Sequence, residues 1–293
     1  MVSSANFDYL INEEDRTLLR LADWPLKIVN LFRKYLSDYR HVPDYKKLLR
    51  TMIEANKMYQ PLRYAYMKPD MYGTLKGMNE FRAGQKAQIY MNKRDIIEAV
   101  DSKGGRRLVV TSRGHKIFYE DYPLASLRKE KWDGFWTLVM YDFPERLKVK
   151  RESTRRRLKR YGFGSPQISI LVSPLPLEKA IRQLIEGERL EKFVWVCRAK
   201  EFLGMKDREI AEKSWPLAEF SGLYKRLLDV LPRVKKSKDR KAREAWARFF
   251  LAVSSKDPHL PFELIPSDWK GENCRKAFSR LSIAPFLKGM FSL

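Results

Sequence analysis

The stretch YDFPERLKVKRESTRRRLKRYGFG, Tyr141 to Gly164, decides the fold. It starts at the end of FWTLVMYDF, Phe135–Phe143, a run of bulky and β-branched residues that reads as a strand. Pro144 and Glu145 then open a helix, because the missing proline N–H costs nothing in a first turn. Gly162 is placed as its C-terminal stop. Leu147, Thr154, Leu158 and Tyr161, at spacings of seven, four and three, would face a core and leave the cations outside. Beyond it PQISILVSP reads as a strand, PLEKAIRQLIEGERL as a helix and KFVWVCRA as another strand. This β-α-β-α-β order, with room for an extra strand, predicts a ferredoxin-like βαββαβ domain with helices against one sheet.

Working outward, Glu13 to Lys57 carries three helical patterns with apolar spacings of three and four, punctuated by Pro25 and Pro43. Residues 60–77, rich in aromatics and turn formers, resist assignment. NEFRAGQKAQIYMNKR, Asn79–Arg94, predicts a polar and basic helix. IIEAVDSKGGRRLVVTSRG follows as two short strands around a Gly-containing loop, with Thr111 or Ser112 capping a further helix. A basic helix followed by a basic hairpin is the layout of a winged helix-turn-helix, whose helix enters the major groove of DNA. After Leu203 the pattern is helical, with KKSKDRK, Lys235–Lys241, as an exposed loop. The fold class is therefore α+β in three parts: a winged helix-turn-helix (1–125), a ferredoxin-like domain (126–204) and a helical C-terminal domain (205–293).

The 293 residues carry 59 Lys and Arg against 36 Asp and Glu, a formal charge of +23. Such a surplus repels itself in the folded state, which a polyanionic partner relieves. Nucleic acid is favoured over a membrane, since no segment approaches the roughly 18 consecutive apolar residues of a span. With 44% apolar and 13% aromatic residues the chain is globular. Two cysteines and an opening without a charged, then apolar, signal segment point to the cytoplasm. Cys197, Cys274, His41, His115 and His259 assemble no zinc spacing, and phosphate-binding glycine loops are absent, so no cofactor is expected.

The residues now assembled resemble the PaaX family of bacterial transcription regulators. Trp132-Asp133-Gly134-Phe135-Trp136, Tyr141-Asp142-Phe143-Pro144-Glu145, the basic helix, Gly162-Phe163-Gly164 and Gln167-Ile168-Ser169 follow the family's order. GRRLVVTSRG, SWPLAEFSGLYKRLL and DPHLPFELIPSDWKG are similar to its wing, its Trp-centred helix and its closing signature. The chain departs where the usual Gly-Trp-Leu is replaced by Arg94-Asp95-Ile96-Ile97. The resemblance implies a central dimerisation domain, hence a homodimer, and a repressor released by an acyl-CoA such as phenylacetyl-CoA. The central domain is also similar to the small ferredoxin-like nucleases of CRISPR adaptation. In those the residue matching Asp142 is a proposed metal ligand, which gives the alternative of a metal-dependent nuclease or a non-catalytic nucleic-acid component of a defence system.

Candidate residues follow from chemistry. Arg82, Gln85, Lys86, Gln88, Asn92 and Lys93 on the polar helix can donate to or accept from base edges of double-stranded DNA. Lys103, Arg106 and Arg107 on the wing would hold phosphates. Lys150, Arg151, Arg155 and Arg156 of the central helix are candidates for nucleic-acid or phosphate contact, or a solvated helix face. Trp215 and Tyr224 are candidates to line an effector pocket. Asp142 either holds a metal for catalysis or caps the helix that follows. Trp132, Trp136, Trp195, Trp215, Trp246 and Trp269 are expected in cores, as is Cys197.

Overall fold

The structure is a computed structural model that describes residues 13–40, 44–55, 86–102, 105–121, 131–202, 204–237 and 239–281. Residues 60–77, Arg82, Gln85 and Lys103 lie outside them. Two compact units form: one drawn from Met1–Phe118, Gly222–Asp257 and Lys270–Leu293, the other from Tyr119–Ser221 and Pro258–Trp269. Helix and sheet are mixed throughout, as an α+β chain requires. Among the described residues no helix is long and apolar enough to cross a membrane.

The first unit begins with α1 (Glu13–Ala22), α2 (Leu26–Arg40) and α3 (Asp44–Ala55). Helical residues 86–93 (α4) lead into the antiparallel hairpin β1 (Ile97–Ser102) and β2 (Gly105–Val110), and α5 (Ser112–Asp121) follows. Both ends of the sequence build its core. α1 and α2 pack on α10 (Arg240–Ser254), and α3 packs on α11 (Gly271–Arg280). Trp24 stacks on Phe32 at 4.7 Å between centroids, and Phe32 meets Phe249 at 4.8 Å. Trp246, fully buried, donates its indole N–H at 2.8 Å to the carbonyl of Leu227 in α9 (Leu217–Lys236).

The second unit is built on β3 (Trp136–Tyr141), α6 (Lys148–Arg160), β4 (Gly164–Gln167), β5 (Ile170–Ser173), α7 (Glu178–Gly187) and β6 (Val194–Ala199). Its antiparallel sheet runs β4-β5-β3-β6, so each β-α-β step leaves a gap that another strand fills. That is the split order of a ferredoxin-like sheet. Val139, Tyr141, Leu171 and Val194 face Leu158 of α6 and Ile181 and Ile185 of α7 in one apolar cluster.

Here the chain differs from expectation in one element. PQISILVSP, expected as one strand, falls in two, Gly164–Gln167 and Ile170–Ser173, joined at Ile168-Ser169 with Gln167 opposite Ile170. The turn lacks the glycine or asparagine that usually marks a hairpin. It is held by tertiary bonds: Tyr141 donates its hydroxyl to the Ile168 carbonyl at 2.6 Å and its N–H to the Ser169 carbonyl at 3.1 Å.

The motif residues acquire physical reasons. Asp133 accepts the Phe135 N–H at 2.9 Å, Gly134 takes φ 79°, and Trp132 meets Trp136 edge to face at 5.2 Å. Gly162, at φ 88°, ends α6: its N–H reaches the Lys159 carbonyl at 3.1 Å and that of Phe163 reaches Leu158 at 3.3 Å, with both apolar partners buried. This paired closure is a Schellman motif. Gly164 serves close approach, since a Cβ there would stand 2.6 Å from Ser214 Cβ and from the Trp215 ring. Ser214 ends α8 (Asp207–Ser214), which packs on β4.

Candidate nucleic-acid interface

Two basic surfaces emerge, one in each unit. In the first, α4 buries Ala87 and Met91 and turns Lys86, Asn92 and Lys93 outward, with Gln88 half-buried. The helix closes as α6 does. Asp95 adopts φ 54°, its N–H reaches Asn92 at 3.1 Å, and Ile96 donates to Met91 at 2.9 Å. Asp95 thus occupies the left-handed position that glycine favours, and buried Ile96 and Ile97 follow it.

The hairpin pairs Asp101 with Arg106 and Val100 with Arg107. Arg106 is exposed and Arg107 half-buried. Thr111, not Ser112, caps α5: its hydroxyl accepts the Gly114 N–H at 3.1 Å and donates to the Asp95 carbonyl. A Cβ on Gly114 would sit 2.3 Å from the Ile96 carbonyl, so α5, the hairpin and the end of α4 lock together. α3 packs against β2 from behind.

In the second unit, most of the α6 cations named from the sequence have partners. Arg151 pairs with Glu145 at 3.4 Å, Arg155 with Glu152 at 2.9 Å, and Lys150 donates to the Glu188 carbonyl at 2.9 Å. The hydrogen bond from Arg155 holds the Glu152 carboxyl below its ordinary pKa. Arg156 bonds only a backbone carbonyl, that of Glu152, at 3.3 Å.

Arg156 lines a shallow cleft of about 240 Å³ with Ser153, Arg157 and Arg160. The sequence shows Arg157 and Arg160 only as two of many cations on this helix and does not single out these three, although positions 153, 156, 157 and 160 are one helical stripe by their spacing. Arg157 is paired with Glu188, while Arg160 has no partner among the described residues. The negative end of the helix dipole favours Arg157, Lys159 and Arg160 in the last turn by about 0.3–1 kcal/mol each. It does not reach Arg156, whose i+3 and i+4 neighbours Lys159 and Arg160 repel it by roughly 0.2–0.5 kcal/mol apiece.

The other candidates are Asp142, Trp215 and Tyr224. Asp142 is exposed, and its N–H donates to the Phe193 carbonyl at 2.8 Å. The expected cap does not form: the chain enters one 3-10 turn, Glu145–Leu147, before α6, and neither start has a side-chain cap. Glu145, the local second carboxylate, is engaged by Lys148 and Arg151. Among the described residues no group of three His, Cys, Asp or Glu could hold a metal ion.

Trp215 stacks on Trp136 at 6.3 Å, and Trp136 donates its indole N–H to Asp207 at 2.8 Å. Tyr224, in the other unit, is buried and donates to Asp257 at 2.8 Å. Trp132, Trp136, Trp246 and Trp269 are buried, but Trp195 is 50% exposed. Cys197 is likewise exposed, not buried. The reason is strand alternation: Val194 and Val196 take the helix-covered face, which leaves Trp195 and Cys197 to the other.

Comparison with known proteins matches residues 129–211 to the PaaX protein central Cas2-like domain and residues 215–285 to the PaaX-like protein C-terminal domain. The transcriptional repressor PaaX of Escherichia coli (strain K12) is 25% identical over 159 residues, covering 50% of each chain. The chain thus aligns with about half the length of this curated relative. An uncharacterized protein from Mycobacterium tuberculosis has a solved structure similar at TM-score 0.45 and 18% identity, over 83% of this chain and 93% of that one. The two adjoining domain matches, together with the motifs explained above, make this chain a member of the PaaX family with a Cas2-like central domain.

Proposed function

We propose that the chain is a cytoplasmic, homodimeric, DNA-binding transcription regulator, acting as a repressor released by a small effector of the acyl-CoA class. The observation that carries the reading is the junction of α4 with the β1-β2 hairpin. A helix with Lys86, Asn92 and Lys93 outward is clamped by Ile96, Thr111 and Gly114 to a hairpin that presents Arg106. That supports the reading of a winged helix-turn-helix, in which the helix reads the major groove and the wing holds backbone. The division into a reader (1–125), a dimerisation domain (126–204) and a helical domain (205–293) belongs to the same proposal, as do Arg82, Gln85 and Lys103. Similarity to a transcriptional repressor supports the regulatory role. A nuclease acting through Asp142 is not favoured by that kinship.

Selection of bound duplexes from a random pool, at physiological salt with magnesium, tests it. A palindromic motif on intact strands is expected, because a twofold dimer reads two half-sites. Cut strands, or the absence of any enriched motif, would sink the reading. Arg106→Ala should weaken binding on every sequence and lower the slope of log K against log salt by about 0.9. Phenylacetyl-CoA is the first effector to try against the enriched duplex, and release requires that it bind the DNA-free form more tightly.

A further inference from the structure

We propose that the outer stripe of α6 is a second DNA-backbone site, held by Ser153, Arg156 and Arg160 and independent of the wing. The proposal deepens the regulator reading by naming a partner surface in the central unit. Its grounds are geometric and electrostatic. Positions 153, 156, 157 and 160 share one helix face and line a common cleft. Arg155 and Arg151 pair with Glu152 and Glu145, and within the cleft Arg157 pairs with Glu188, so among the described residues the cleft's arginines without a carboxylate ion pair are Arg156 and Arg160.

The dimensions suit a phosphodiester chain. From 153 to 160 the helix advances about 10 Å, which is roughly three phosphate-to-phosphate steps of one strand at about 3.4 Å each along a duplex axis. Two guanidiniums can fork onto phosphate oxygens, and the Ser153 hydroxyl can donate a third bond. Among the described residues no aromatic ring lines the cleft, so it offers no platform for a base and carries no sequence information. The apolar side chain on the same stripe, Val149, is 83% exposed but too small to anchor the helix in a lipid surface.

The test measures affinity of the full chain for a random-sequence duplex across a salt series, with wild type, R156A/R160A, R156K/R160K and the wing variant R106A. R156A/R160A should bind at least about tenfold more weakly near 0.1 M salt and lose about 1.8 from the salt slope, while the lysine pair retains most of both. Both arginines are exposed, and an unchanged melting temperature confirms that the alanine variant is folded. Wild-type affinity and slope in R156A/R160A, with loss confined to R106A, would overturn this site and leave the wing reading standing. Loss in R156A/R160A with R106A unaffected supports this site and removes the wing. No duplex binding by wild type defeats both. Preference for vesicles of phosphatidylserine over duplex DNA, abolished in R156A/R160A, would also overturn it.

Discussion

Glu54 of α3 accepts a hydrogen bond from Arg275 of α11 at 2.7 Å, joining residues 221 positions apart. Its other oxygen accepts from Ser254 at 2.9 Å and Arg50 at 3.4 Å, and the Glu54 side chain is 2% exposed. Arg275 also donates to Glu272 at 2.6 Å. Burial alone would lower the pKa of Arg275, but Glu54 and Glu272 together raise it above the ordinary arginine value. Because α3 also packs against β2, this pair fixes the helix behind the hairpin.

Glu54→Gln leaves the fully buried Arg50 and the half-buried Arg275 with one carboxylate fewer, and removal of one partner of a buried pair costs about 3–5 kcal/mol. Urea unfolding should show that loss in the midpoint, with a smaller loss in E54Q/R275M than the two single changes sum to. Strict additivity in the cycle would mean that the two residues are not coupled.

Asp95 gives the opposite sign. It stands at φ 54°, where an L side chain is strained and glycine is not. Its carboxylate has no partner among the described residues, so Asp95→Gly removes strain without removing a bond. The variant should be more stable by about 0.5–1 kcal/mol, less the chain entropy that glycine adds to the unfolded state. A drop in melting temperature would show that Asp95 is held by something other than the helix closure.

The two cysteines should separate by reactivity and by pH. Burial pushes the Cys274 thiol well above its ordinary pKa, and its sulfur lies 3.3 Å from the Tyr224 carbonyl. A raised folded pKa means that the stability is fully present below the unfolded value, near 8.5, and declines as pH rises beyond it. Unfolding free energy should therefore fall by about 1.4 kcal/mol per pH unit above that point, relative to Cys274→Ala measured alongside. In native protein a maleimide should label Cys197 alone. Equal slopes in wild type and Cys274→Ala would contradict the buried thiol.

These residues also show where sequence reading reached and where it stopped. The stop of α6 and the start of α5 were legible because their causes are local: Gly162 closes α6 and Thr111 caps α5 within a few residues. The hairpin turn at Ile168-Ser169 was not, because Tyr141 stabilises it from another strand. Trp195 and Cys197 looked like core by residue type, and only the register of β6 beside β3 shows which face each takes. On α6 the count of cations was readable, but the neutralisation of Arg157 by Glu188, 31 residues further on, depends on tertiary structure. The packing of α1 and α2 on α10 likewise has no local signal.

Register also fixes the last prediction. Ile170, Met140 and Trp195 stand in one row across β5, β3 and β6, and Leu138 and Cys197 stand in the next. This row lies on the face opposite α6 and α7, and Trp195 remains 50% exposed there. A tryptophan offers about 150–250 Å² for burial. In a twofold dimer the same patch meets itself, so each copy contributes its own ring. We therefore expect light scattering to give a dimer for wild type at micromolar concentration without DNA. Trp195→Glu, which sets two like charges against each other across that axis, should give a folded monomer. A wild-type monomer would refute dimerisation in the absence of DNA, and a dimer that survives Trp195→Glu would move the interface to another surface.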